Sequence, residues 1–372
     1  MEVLSSLRLR IVTDATLECS GDISPSALDS FQQFYIHISY MLRTEDVVKF
    51  QLKSLKISAN LEEEETRESL AEVICNVEEV DLSESDIRSA NLFEKISSYE
   101  DLRLKNLILN NINISSFPTE LVSQALRKIE EVNIRNSSLR YTQLNQLFED
   151  LQEDCPLKRL DLSQNSLWYF FQPAGLCQLE EVRLSQVFMT DRTLASILSS
   201  ITKSPQLRLK HLDLSHNNLS KLPPSTLAEA ALKLEAVSLS QTKLRPEQIT
   251  ELFSRLRDGP DCRLKILNIS NNRLSSLPSG MLSQVICRLE EANLANTRLN
   301  TEQVTAIFRE LLTIAPLKLK KLNISLNNLS SLSLPTLRQA VARLEQINLI
   351  ACRLNLHHVL SLNLQDLAQK YI

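Results

Sequence analysis

Apolar residues recur along the chain in the frame LxxLxLxxNxL, whose central positions alternate as they would along a short, half-buried strand. The clearest copies run from Leu157 to Leu167, Leu209 to Leu219, Leu264 to Leu274 and Leu319 to Leu329. Extending the frame gives twelve units, beginning at Leu52, Val77, Leu104, Ile129, Leu157, Leu179, Leu209, Leu234, Leu264, Leu289, Leu319 and Leu344. Their spacings alternate, so the true period is a pair of units, 55 residues from Leu209 to Leu264 and again from Leu264 to Leu319.

The two members of a pair differ at the ninth position and after it. The first type has Asn60, Asn165, Asn217, Asn272 and Asn327 there, with Ile112 as the exception, and usually continues as LSxLP before a short helix. The second type has Ser85, Ser137, Val187, Thr242, Thr297 and Cys352, then a longer stretch of helical apolar period, as in EQITELFSRL and EQVTAIFREL. Phe148, Phe253 and Phe308 each fall 19 residues after the first residue of their unit, on the helix face expected to meet the next helix. A small polar side chain at the ninth position sits where the chain leaves the strand and can pair with backbone groups that would otherwise be buried unsatisfied.

One strand and one helix per unit predict an α/β solenoid, a curved horseshoe with a parallel sheet on its concave face and helices on its convex face. Residues 52–372 form about twelve repeats in six pairs, continuous with an N-terminal cap and degenerate repeats over residues 1–51, where Phe31, Phe34 and Ile36 fit one eroded unit. With no polar capping segment after the last unit, a piece of a longer chain is expected. The alternating units, the Asn that alternates with small polar residues or Cys, and the helical convex segments resemble the ribonuclease-inhibitor-like leucine-rich repeats over about residues 52–356. The chain departs from them in its LSxLP segment, which stands where that family has a Gly-containing helix start. That family includes ribonuclease inhibitor, the sensing regions of NOD-like receptors and activators of the Ran GTPase. The resemblance therefore implies a protein-binding scaffold or inhibitor, with a ligand-sensing repeat region or a regulator of a small GTPase as alternatives.

The second position is Lys in every first-type unit (Lys53, Lys105, Lys158, Lys210, Lys265, Lys320) and Glu in every second-type unit (Glu78, Glu130, Glu180, Glu235, Glu290, Glu345). Strands about 4.8 Å apart would align these side chains into one strip of alternating sign. A one-unit slip would set Lys beside Lys, so the strip is either a register device or a copy inherited by duplication.

Positions three and five project from the concave face, and across the middle units they are Arg159, Asp161, Glu181, Arg183, His211 and Asp213; together with His216 these are the candidate protein-binding residues. The fifth position then becomes a row of Asn268, Asn293, Asn323 and Asn348. The unit at Leu157 is the irregular one, with SLWYFFQPAGLCQL in place of LSxLP, and offers Trp168 and Tyr169 as aromatic anchors, with Phe170 expected in the core. Glu181, His211 and Asp213 are the best metal set the sequence offers, but ordinary polar surface explains them as well, and no metal is expected.

Composition removes other classes. Four glycines cannot build a GxGxxG or GxxxxGK[ST] phosphate loop. A net charge of -4, with 41 basic residues spread along the chain, gives no footprint for nucleic acid. The 7 cysteines include no CxxC pair, and Arg8, Arg10 and Asp14 break the apolar run a signal peptide needs. A cytoplasmic, non-enzymatic protein without cofactor, nucleic acid or membrane partner is expected, with no nucleophile and base to name.

Overall fold

The computed structural model describes residues 8–13, 16–20, 54–58, 71, 74–83, 85, 91–151, 155–167 and 173–354. Of the residues singled out above, Asp14, Leu52, Lys53, Asn60, Trp168, Tyr169, Phe170 and the three apolar residues of the eroded unit lie outside these. The chain divides into two compact units between Arg183 and Leu184.

In the first unit, β1 (Arg8–Thr13) and β2 (Thr16–Ser20) form an antiparallel hairpin, and β2 pairs in parallel with β3 (Ser54–Ser58). Then β4 (Glu79–Asp81), β5 (Asn106–Ile108), β6 (Glu131–Asn133), β7 (Arg159–Asp161) and β8 (Glu181–Arg183) follow, each parallel to the strand before it. Their helices are α1 (Asn91–Ser98), α2 (Thr119–Arg127) and α3 (Tyr141–Glu149), with a 3₁₀ segment over Pro173–Gln178. In the second unit the parallel strands are β9 (His211–Asp213), β10 (Ala236–Ser238), β11 (Ile266–Asn268), β12 (Glu291–Asn293), β13 (Lys321–Asn323) and β14 (Gln346–Asn348). Between them run α4 (Asp191–Lys203), α5 (Pro224–Lys233), α6 (Pro246–Asp258), α7 (Ser279–Ile286), α8 (Thr301–Thr313) and α9 (Leu334–Arg343). Each unit builds the leucine-rich-repeat fold expected from the spacing, parallel strands alternating with helices.

From β4 onward each strand is positions three to five of the frame, with the fourth buried and its neighbours facing out. Phe253 and Phe308 are fully buried in α6 and α8, as their 3.6-residue period requires. Each such leucine or phenylalanine contributes about 1.5–3 kcal/mol, so this core dominates stability.

The turn out of each strand is closed by the ninth position. Asn272 Nδ2 donates to the carbonyls of Leu239, Ile269 and Ser270, while its Oδ1 accepts from Leu244 N of the preceding repeat. Asn165, Asn217 and Asn327 repeat the outward donation, and Thr242 and Thr297 donate to Leu239 and Leu294. The eighth residue takes a positive φ to make this turn, most often as Asn, Gln or His (Asn111, Asn136, Gln164, Gln186, His216, Gln241, Asn271, Asn296).

The pair of units has a physical basis in three buried glutamines. Gln143, Gln248 and Gln303 lie in the first turns of α3, α6 and α8. Gln248 Nε2 donates to the carbonyls of Leu219 and Leu222, both in the LSxLP segment of the preceding unit, and its Oε1 accepts from Arg245 N. Gln143 does the same with Ile114, Phe117 and Arg140, and Gln303 with Leu274, Leu277 and Asn300. Each glutamine thus sews the second member of a pair to the first.

LSxLP ends in a proline that starts the next helix: Pro118, Pro223 and Pro278 occupy the N-cap positions of α2, α5 and α7, where a missing N–H costs nothing. On the far side, basic side chains close helix C-termini. Arg127 donates to the Asp150 carbonyl, Lys233 to that of Thr202, Arg288 to that of Arg257, and Arg343 to those of Leu311 and Ile314. In the shortened unit the 3₁₀ segment replaces the first-type helix. Gly175 lets it approach α3, since a β-carbon there would lie 2.6 Å from the Phe148 carbonyl oxygen.

Candidate functional site

The helix-free face of each sheet carries the third and fifth positions, and its charges are largely spent on one another. In the first unit Lys56 pairs with Asp81 at 3.5 Å, and Arg159 pairs with Glu131 at 2.7 Å and with Glu130 at 3.7 Å. Arg183 reaches back along its own strand to Glu181 at 2.7 Å. The hydrogen bond to Glu131, more than any other influence, raises the pKa of the Arg159 guanidinium. Strand register sets Arg159 beside Glu181 and Asp161 beside Arg183, so these four candidates do share one patch.

The strip of second positions is also present. Lys105 pairs with Glu78 at 3.6 Å, Lys158 with Glu130 at 3.3 Å, Lys265 with Glu235 at 2.7 Å and Lys320 with Glu345 at 3.8 Å. The bond to Lys265 lowers the pKa of the Glu235 carboxyl, and the Lys265 ammonium is raised in return. All these groups are substantially exposed, so the pairs add little to stability.

The fifth position serves the fold as well as the face. Asp81, Asp161 and Asp213 accept, through Oδ1, the backbone N–H of Ser83, Ser163 and Ser215 two residues on. Asn268, Asn293, Asn323 and Asn348 do the same for Ser270, Ala295, Ser325 and Ile350. These are Asx turns that hold the chain as it leaves the strand. Sequence reasoning assigned this row to the surface alone and missed its bond to the backbone; the signal was an Asp or Asn at one fixed offset.

In the second unit, His211 and Asp213 flank buried Leu212 on β9, and His216 is exposed on the following turn with a φ of 60°. Among the described residues no group of three His, Cys, Asp or Glu side chains converges to hold a metal ion. Nor is any helix among them long and apolar enough to cross a membrane. Further along, the face loses its charge. Ile266, Asn293, Asn323, Gln346 and Asn348, with the ion pair Glu291–Lys321 at 2.6 Å, line an open trough of about 220 Å³ over β11 to β14.

Comparison with known proteins agrees with this architecture. The Leucine Rich Repeat family model matches residues 208–229 and 263–284, each beginning one residue before a first-type unit. Protein PAC2 of Saccharomyces cerevisiae is 30% identical over 162 residues, which is 40% of this chain and 27% of that protein. The transforming growth factor beta activator LRRC33 of Danio rerio is 24% identical over 271 residues, 66% of this chain and 38% of that protein. The chain thus spans between about a quarter and two fifths of the length of these relatives. An internalin from Listeria monocytogenes superimposes with a TM-score of 0.50 at 15% identity, covering 91% of this chain and 89% of its own, a likeness of fold.

Proposed function

Since this chain is a leucine-rich-repeat protein, we propose that it acts as a non-enzymatic scaffold or inhibitor, holding another protein on the open face of its repeats. The observation that carries this reading is the fixed orientation of the outward side chains. Asp161 and Asp213 are tied to the backbone, Arg159 to Glu131 and Arg183 to Glu181, so a partner meets groups whose rotamer freedom is already spent. One relative is named for activating a growth factor, which is a task of engaging another protein.

The reading places the chain in the ribonuclease-inhibitor-like branch and in a reducing compartment. Support for the first is the alternation of unit types, with helices on the far side of nearly every described repeat. Support for the second is the burial of Cys75, Cys177, Cys287 and Cys352 as thiols. The test is to identify the partner by cross-linking and mass spectrometry, then to measure its affinity for Arg159→Glu, Arg183→Glu and Asp213→Asn chains. A loss of tenfold or more at unchanged thermal midpoint is expected. Full binding by all three variants would reject this face as the contact surface.

A further inference from the structure

An Asx turn needs one oxygen, and aspartate supplies it as well as asparagine does: the Asp81, Asp161 and Asp213 bonds are 2.8–2.9 Å, those of Asn268, Asn293, Asn323 and Asn348 are 3.0–3.2 Å. Four adjacent aspartates would repel one another across strands about 4.8 Å apart, so β11 to β14 carry Asn and the face stays neutral there. What the choice changes is the second atom of the side chain. With Oδ1 turned to the backbone, the remaining group is an N–H donor instead of a charged acceptor. Asn268 Nδ2 donates to Ser238 Oγ at 3.1 Å, while Asn293, Asn323 and Asn348 line the trough. Lys321 and Glu291 neutralise each other within it at 2.6 Å. The surface is a row of donors without net charge.

A separate observation lies where β13 and β14 end. At the positive-φ eighth position, where the other units most often place Asn, Gln or His, the β13 unit places Leu326 with a φ of 59° and 57% exposure. Its N–H donates to the carbonyl of Ile350 at 2.9 Å, and Ile350 is 60% exposed at the position where Ser163, Ser215, Ser240, Ser270 and Ser325 are buried. A leucine in this conformation crowds its β-carbon against the following carbonyl, and an aliphatic side chain in water returns nothing. Stability does not explain Leu326.

We propose that the trough over β11 to β14 and this aliphatic rim bind one extended, uncharged peptide segment of a partner protein. Its carbonyl groups accept from Nδ2 of Asn293, Asn323 and Asn348, and one aliphatic side chain seats on Leu326 and Ile350. An extended chain is required because helices and sheets have already spent their carbonyls. Crossing four strands about 4.8 Å apart takes about five residues at about 3.3 Å each. Charge in the segment would be desolvated against a face with no free counter-charge. The proposal rests on the protein-binding reading and adds to it a second, neutral contact over β11 to β14.

The test uses phage-displayed random twelve-residue peptides selected on the full chain, with the recovered sequences synthesised and measured by fluorescence polarisation. The variant Asn323→Asp keeps the capping oxygen and, flanked by Asn293 and Asn348, sets no two carboxylates on neighbouring fifth positions, and Leu326→Asn restores a residue suited to positive φ; the thermal midpoint of each is measured first. Peptides poor in Asp, Glu, Lys and Arg and carrying an aliphatic residue are expected. Each variant should weaken them at least tenfold. Charged peptides lost on Arg159→Glu would overturn this proposal and leave the open-face reading standing. Peptides indifferent to all three variants, or none selected above background, would overturn both. A wild-type dimer in sedimentation that Leu326→Asn dissociates would make a second copy the occupant, and overturn the peptide assignment.

Discussion

Asp213 accepts the backbone N–H of Ser215 through Oδ1 at 2.8 Å, so a residue expected on the binding face also closes the turn that follows its strand. Two substitutions separate these duties. Asp213→Asn keeps the oxygen and should leave the urea midpoint unchanged, whereas Asp213→Ala removes it and should cost about 1 kcal/mol. Equal stability of the two variants would show that the turn does not depend on this bond.

Gln248 carries a larger share of the fold. Its replacement by Ala would orphan the carbonyls of Leu219 and Leu222 and the N–H of Arg245 in a buried setting. At about 1–3 kcal/mol for an unsatisfied buried group, and with some relaxation, a loss of roughly 3 kcal/mol is expected. Chemical denaturation of Gln248→Ala measures it, and a loss within error of zero would mean that water replaces the amide.

The Glu235–Lys265 pair predicts a pH window. The folded Glu235 carboxyl lies below its ordinary value because of the bond to Lys265, so its contribution is present above about pH 4.3 and lost as pH falls through the folded value. The Lys265 ammonium lies above its ordinary value, so its share is present below about pH 10.4 and lost as pH rises beyond. Lys265→Ala should therefore lower the thermal midpoint slightly at pH 7 in low salt, by an amount that shrinks as pH falls below about 4.3. The pH 7 difference should also vanish in 1 M salt, because both side chains are exposed.

Thiol reactivity follows burial. Desolvation pushes the Cys287 thiol up to about 12, and burial likewise raises that of Cys352. Iodoacetamide at pH 8 should alkylate half-buried Cys155 and Cys262 first and leave Cys287 unmodified until denaturant is added. Mass spectrometry of the digests decides this, and early labelling of Cys287 would contradict its burial in the folded chain.

Strand positions, inward leucines, the ninth-position Asn and the Lys/Glu strip were legible because each follows from a period, and a period survives in one sequence. The partners of polar side chains were less legible. Gln248 stands beside Ile249 in an apolar-periodic helix, where a polar residue reads as the edge of the stripe; its two carbonyl partners lie 26 and 29 residues away. Arg159 was marked for a partner protein, and its nearest partner is Glu131 on the neighbouring strand, a pairing that depends on register. Leu326 matched no rule for a turn residue, and its exposure emerged only with the structure.

The glutamines also govern how an array of this kind can change its length. Gln143, Gln248 and Gln303 each find both acceptors in the unit that precedes their own. Deleting a single unit would bring a glutamine to a neighbour that lacks the LSxLP carbonyls, whereas deleting two restores the junction. Copy number in this array is therefore countable in steps of two units, 52 to 55 residues, and a shortened chain should fold when cut in even numbers and fail when cut in odd ones.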